Sequence, residues 1–401
     1  MAEVVQKVLD VLLRSESPYL LFFLAIFLPG TCICAWRWIH QRKPSPIARS
    51  DHKKSGIKNE VPVITPLRDF SWQTTEPLQL RPFRGKEKYN LTMAIENLDP
   101  SELIQMDNTY EDRIKKRKSI LDKHHDIVVA TNEKSSKDIR IRTAVSELYT
   151  FVLGTYLPTR YPGMFRISHG AGNPSKTFEN FVTGAKWPTR LAERTPTIQA
   201  LEILTQTVDE EFFILLPDLS APVDNPKYIL QAYATCFPSG FNTSEKLGLR
   251  LADIHGPVPG YADKLERSMD RFFAKIDVGK FVKRVNWGVT TETDLFAAFG
   301  SMYASQNSDP QTEQVISPEN LKVDQTVLRC ERQTLHRLPQ SRALVFAFHT
   351  YTYPLQQIKD EGMGEELATA IEGLKKGNIP NIYAYKRGDI WGQAVTQFLK
   401  S

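Results

Sequence analysis

Apolar positions run unbroken near the start of the chain and become periodic after it. Residues 17–36, SPYLLFFLAIFLPGTCICAW, carry no charge, and Arg37 closes the run. At ~1.5 Å per helical residue such a segment spans a hydrocarbon core of ~30 Å. Tyr19, Trp36 and Trp38 stand where aromatic rings favour the headgroup level. The pattern predicts a short leading segment over 1–16 and one transmembrane helix over 17–39. A cleaved signal peptide fits less well, because the run is long and no small-x-small site follows it.

Further along, the spacing turns helical in Val145-Leu148-Phe151-Val152-Tyr156, Leu265-Met269-Phe272-Phe273, Leu355-Ile358 and Leu367-Ala370-Ile371-Leu374. β-Branched and aromatic runs predict strands over 210–217, 227–237, 283–291, 326–338 and 343–353. The last two are joined by Pro339-Gln340-Ser341-Arg342, a hairpin-length connection. The strands come in pairs, not in regular alternation with helices. That predicts an α+β fold with packed helices on an antiparallel sheet.

Composition and charge set limits. At 41% hydrophobic and 24% charged, the 401 residues exclude wholesale disorder. The net charge of +5 gathers into no basic face, so nucleic-acid binding has no support. Of four cysteines, Cys32 and Cys34 lie in the apolar run. Cys236 and Cys330 are too few for a disulfide framework or a thiolate-held cluster. Lys7 and Arg14 precede the apolar run and are offset by acids, whereas Arg37, Arg42, Lys43, Arg49, Lys53 and Lys54 follow it. The positive-inside rule therefore puts the rest of the chain in the cytosol. The expectation is a single-pass protein of the endoplasmic reticulum or another endomembrane. Residues 40–78 read as an extended Pro-, Ser- and Lys-rich tether, and 79–401 as the globular domain.

No Walker loop, G-x-S-x-G elbow or H-E-x-x-H helix occurs. The stretch HGAGNPS at 169–175 places a proline where a dinucleotide fingerprint opens its helix, which reads as a loop. The pair His124-His125 reads as a solvated helix face. Glu210 and Glu211 precede a strand, where alternation sends neighbours to opposite faces. In FNTSEKLGLRLADIHGPVPGY (241–261), Asn242 or Thr243 can cap a helix carrying Leu247, Leu251 and Ile254, with His255 on the same apolar face. His255 is then either a core histidine bonded to local carbonyls or a neutral imidazole placed to hold a haem iron. In LRCERQTLHRLPQSR (328–342), alternation puts Arg329, Glu331 and Gln333 on one face and Cys330, Arg332, Thr334 and His336 on the other. These charges are either exposed on an edge strand or an arginine set for an anionic ligand such as haem propionates.

CFPSGFNTSEKLGLRLADIHGPVPGY, then RVNWGV (284–289), then LRCERQTLHRLPQSRALVFAFHTYTYPL (328–355) together resemble the haem-dependent oxidative N-demethylase-like family, whose fungal members are called HRQ family proteins. RPF (81–83), YNLTMAIENLD (89–99), TYLPTRYP (155–162) and EEFFILLPD (210–218) extend the resemblance over roughly residues 80–400. It implies a PAS-like fold holding haem b. It also implies oxidative removal of a methyl group from a small N-methylated amine, using dioxygen and external electrons and releasing formaldehyde. In bacterial relatives separate flavin- and iron–sulfur-containing chains deliver the electrons, so a separate reductase is the expected partner. The motif IH-x-PVP falls on residues 254–259, which makes His255 the expected iron ligand. Arg284, Arg329 and Arg332 are candidates for the propionates. Glu331 and His336 are candidates for proton delivery or for holding a cationic amine. The rivals are a non-catalytic haem or small-ligand sensor and a structural or lipid-handling protein of the membrane surface.

The orientation is testable through glycosylation. Asn90-Leu91-Thr92 and Asn242-Thr243-Ser244 are sequons and stay unmodified in a cytosolic domain. A glycosidase-sensitive mass shift at either asparagine reverses the topology.

Overall fold

The computed structural model describes residues 62–133, 139–169, 176–298 and 314–401. The apolar run at 17–39 and the glycine-rich residues 170–175 lie outside them. Among the described residues, no helix is long and apolar enough to cross a membrane. The described residues belong to the compact unit Asn59–Ser401. Residues 62–78, assigned to the tether from composition, instead pack on this unit. Ile64 is buried, Thr65 N donates to Ser101 Oγ at 2.9 Å, and Leu67 N donates to Arg160 O at 2.8 Å. Polar, proline-rich composition here marks extended backbone whose donors are used by the domain.

The architecture is α+β. Its strands are β1 (Glu96–Asn97), β2 (Val129–Thr131), β3 (Phe165–His169), β4 (Lys176–Asn180), β5 (Lys186–Pro188), β6 (Glu211–Pro217), β7 (Tyr228–Ala234), β8 (Phe281–Thr290), β9 (Val327–Arg337) and β10 (Leu344–Pro354). The larger sheet runs β1-β8-β9-β10-β6-β7-β2, and β3 to β5 make a smaller one. β9 and β10 pair antiparallel from Val327 opposite Pro354 to Arg337 opposite Leu344. The turn between them, at 339–342 as expected, puts Arg342 at φ 60°.

β9 is therefore a central strand, and its charges are not edge charges. Both of its faces are covered by helices, among them α1 (Tyr110–Lys123), α2 (Arg140–Phe151), α3 (Thr197–Thr205), α4 (Leu251–Ile254), α5 (Arg267–Lys275), α6 (Leu355–Asp360), α7 (Gly364–Gly373), α8 (Ile382–Tyr385) and α9 (Gly388–Lys400). α2 shows why the periodicity works. Ile141, Ala144, Val145, Leu148 and Tyr149 make one buried stripe, at the spacing that keeps apolar side chains on one helix face. On one side of the sheet, Val345, Ala347 and Phe281 join the core that includes this stripe. On the same side Leu328, Cys330, Tyr351 and Tyr353 pack against residues of α6, α7 and α9. On the other side, Val282, Leu335 and Leu344 meet Met269 and Phe273 of α5.

His336 lies on the first of these sides. Its ring stacks on Phe281 at 4.9 Å, and neither ring nitrogen has a hydrogen-bond partner. Burial pushes its pKa down to about 3. It is a neutral core histidine, on the face opposite Glu331. The unfolded chain protonates this ring near pH ~6.5, but the native chain does so only at about 3. Stability from this group is therefore full above ~6.5 and falls with pH below that, by up to ~1.4 kcal/mol per unit. His336→Leu removes that loss together with two unsatisfied buried nitrogens. In urea unfolding the variant should match or exceed the wild type at pH 8 and lead by ~2 kcal/mol at pH 5. A variant that loses more stability on acidification than the wild type would refute this account.

Candidate functional site

The segment before His255 is not the continuous helix that its apolar spacing predicts. Asn242 does cap a turn, accepting from Ser244 N at 3.1 Å, but only Thr243–Lys246 is helical there. Gly248 then takes φ 82°, a conformation that costs glycine little. Its N–H and the carbonyl of Leu249 pair with the two sides of Leu230 in β7, at 2.8 and 3.0 Å. Sheet pairing thus replaces helix at this point. α4 is a single turn that Arg250 ties to Asp218 at 2.8 Å, and His255 caps its end.

That geometry fixes the imidazole. His255 Nδ1 lies 2.8 Å from Leu251 O, an acceptor only, so Nδ1 carries the proton and Nε2 presents its lone pair. The ring stacks on Tyr261 at 4.7 Å and 11°. Burial pushes its pKa down to about 4; the Leu251 carbonyl opposes this, while Lys246 and Arg284 add like charge. The ring is half-buried. Among the described residues no group of three or more His, Cys, Asp or Glu can hold a bare metal ion. A neutral imidazole with a committed Nδ1 would suit the iron of a haem, whose macrocycle supplies the remaining nitrogen ligands. The first reading of His255 is observed, since its Nδ1 bonds the Leu251 carbonyl, and that bond leaves Nε2 as an acceptor.

Arg284 of β8 and Glu331 of β9 stand on one sheet face, because Arg284 pairs with Gln333 and Asn286 with Glu331. Glu331 is buried. Its Oε2 accepts from Gln333 Nε2 at 2.8 Å and from Asn286 Nδ2 at 3.2 Å, and no described residue bonds Oε1. Arg284 is half-buried, and its charge reaches both Tyr89 and His255. Phe346 and Phe348 share the face, by their register opposite Leu335 and Gln333.

The other arginine candidates are committed elsewhere. Arg329 Nη2 donates to Phe237 O and Leu295 O at 3.0 Å and to Pro238 O at 3.2 Å. Its Nε donates to Ser239 Oγ at 3.1 Å. Arg332 lies on the opposite face and donates to Glu102 O at 2.6 Å and Leu103 O at 3.3 Å. Both act as pins between β9 and the loops over it.

Sequence reasoning missed three residues here. Lys386, at the end of α8, donates to Trp287 O at 2.5 Å and Asn286 Oδ1 at 3.4 Å. Burial pushes the Tyr385 hydroxyl up to about 12, and Glu331 and Tyr89 add to the shift. Tyr89 is held by the backbone: its N–H meets Gly373 O at 3.1 Å, and its carbonyl meets Asn378 N at 3.2 Å. A Cβ on Gly377 would sit 1.4 Å from Tyr89 O, so only glycine permits that approach. Nothing in the local sequence marks these residues, since contacts distant in sequence bring them in, across 100 and 99 positions for Lys386.

A family model described as haem-dependent oxidative N-demethylase, alpha subunit-like, matches residues 94–396. His255→Ala should leave a folded chain that retains little haem, or whose spectrum is rescued by added imidazole. His349→Ala should lose less haem, because His349 pairs with Asp209 at 3.3 Å on the opposite face. Normal haem content with an unshifted Soret band in His255→Ala would remove the assignment.

Proposed function

Since the chain belongs to the haem-dependent oxidative N-demethylase alpha subunit-like family, we propose that it oxidatively demethylates a small N-methylated amine and releases formaldehyde. The observation that carries this reading is the imidazole of His255, whose Nδ1 is committed to Leu251 O and whose Nε2 is left as an acceptor; Glu331 and Arg284 share one sheet face. Haem b, when bound, supplies the activation of dioxygen. His255 would hold the iron, and Arg284, whose charge acts on His255, would take a propionate, since a guanidinium binds carboxylate through paired donors. The free Oε1 of Glu331 can accept an N–H of a protonated amine, fixing its methyl group relative to the metal. Phe346 and Phe348 keep that wall apolar, which limits competing water. The antiparallel sheet is consistent with the PAS-like arrangement that the family resemblance implies.

Electrons must come from outside the chain. Cys236 and Cys330 are both buried, and no dinucleotide fingerprint follows a described strand. A separate reductase is the proposed partner, and residues 17–39 are proposed to hold the chain in the same membrane, where confinement raises effective concentration. The purified chain with reduced nicotinamide alone should release no formaldehyde. Adding a competent reductase should give amine-dependent release, and deleting residues 1–40 should weaken coupling on membranes without loss of haem. Formaldehyde formed by the chain and nicotinamide alone would overturn the external-donor proposal. A normal haem spectrum with no turnover of any N-methylated amine under several reductases would move the assignment to a sensor.

A further inference from the structure

The wall of the site contains a relay of hydrogen bonds that begins outside the sheet. An ammonium has donors and no acceptor, so the Asn286 atom facing Lys386 at 3.4 Å is the carbonyl oxygen. The amide NH2 of Asn286 is thereby turned toward Glu331, where it donates to Oε2 at 3.2 Å. Gln333 donates to the same oxygen at 2.8 Å. Both donors therefore fall on Oε2, and Oε1 stays available. Were Asn286 flipped, its oxygen would face a carboxylate oxygen, and the wall would repel its own acid.

Lys386 reaches this position because α8 follows a segment locked to the sheet's flank. Asn378 Oδ1 accepts from Leu91 N at 2.9 Å, and a Cβ on Gly260 would meet Ile379 Cδ1 at 2.2 Å. β1 pairs with β8 only at Val282 and Lys283. Beyond that point Lys386 takes the carbonyl of Trp287, doing for the open edge what a neighbouring strand would do.

We propose that Lys386 is a positioning residue that orients Asn286 and thereby keeps both wall donors on Oε2 of Glu331, with Oε1 presented to a cationic, hydrogen-donating ligand. The inference deepens the reading of Glu331 given above and rests on it. Four charged or titratable groups face Glu331 or its neighbours here: Arg284 from β8, Tyr89 from the arm before β1, Tyr385 and Lys386 from α8. Burial pushes Lys386 down to about 8, so it still carries its charge at neutral pH and loses it above that value.

The test reads the carboxyl of Glu331 directly, in the full-length chain and without turnover. Infrared difference spectra against Glu331→Gln isolate its titration midpoint. In Lys386→Met the midpoint should rise by about one pH unit, because a buried carboxylate loses a cationic neighbour and an oriented amide. Lys386→Arg should restore most of the shift. The affinity for dimethylammonium, used as the probe, should fall severalfold in the Met variant, because the released Asn286 amide can turn and donate to Oε1 in the ligand's place. If Lys386→Met fails to fold, Asn286→Leu interrupts the same relay one bond later and is read the same way. An unmoved midpoint in a folded variant overturns the proposal. So does a midpoint that rises equally in Lys386→Arg, since that marks a packing defect. The midpoint is measured with or without haem, so failure of the His255 assignment in a haem titration is a separate result.

Discussion

Strand β9 carries arginines and a glutamate through the middle of a sheet covered on both faces, and satisfying them organises the domain. A buried guanidinium left without acceptors costs several kcal/mol, of order 3–5, so each must recruit partners from the layers above it. Arg329 collects carbonyls at Phe237, Pro238 and Leu295. Arg337 takes Ile276 O at 2.8 Å and Phe273 O at 2.5 Å at the C-terminal end of α5. Helix ends and loops have carbonyls to spare, and β9 supplies the donors. The covers are fixed to the sheet by backbone acceptors, which specify position more sharply than apolar contact does. Arg117 repeats the device at the end of β6, meeting Glu211 Oε1 at 2.5 Å and the carbonyl of Thr205 at 3.0 Å.

Period and alternation expose much of this in the sequence. The strands at 210–217, 283–291, 326–338 and 343–353 were legible because their side chains alternate and their ends carry turn residues. The helical stripe at 141–152 was legible for the equivalent reason. What alternation does not show is sheet order. Whether β9 is an edge or a centre depends on β8 and β10 both pairing with it, and β8 is separated from β9 by a long intervening segment. Hence its charges look solvated from sequence and are buried in the fold. The helix expected before His255 failed for a related reason. Gly248 is a weak local signal, and its true partner, Leu230, lies on β7. Tertiary hydrogen bonds overrode the apolar spacing, aided by a glycine that disfavours helix by about 1 kcal/mol relative to alanine.

His255 was findable because the features that matter are local. Arg250 starts α4, the carbonyl four residues before the ring takes Nδ1, and Gly256-Pro257 forbids the helix to continue. Lys386, Tyr89 and Tyr385 were not findable, since they enter from the arm before the sheet and the helices after it. The resembling segments contained His255, Arg284 and Glu331 but neither Lys386 nor Tyr385; of the three, only Tyr89 falls in one, at the start of YNLTMAIENLD.

Glu331 is where the organising constraint yields function. The three buried arginines of β9 give most of their donors to carbonyls and are thereby spent on structure. The carboxylate beside them is held through one oxygen only. A glutamate on an edge strand would be hydrated on both oxygens and would bind a cation weakly, because water screens and competes. Placed centrally, Glu331 has a neighbour on β8 and a residue of its own strand to occupy Oε2, and a covering helix to orient one of them. Its second oxygen is left as the acceptor that the proposed amine would use. Centrality makes the charge costly to bury, and the same centrality gives the remaining oxygen its strength as an acceptor.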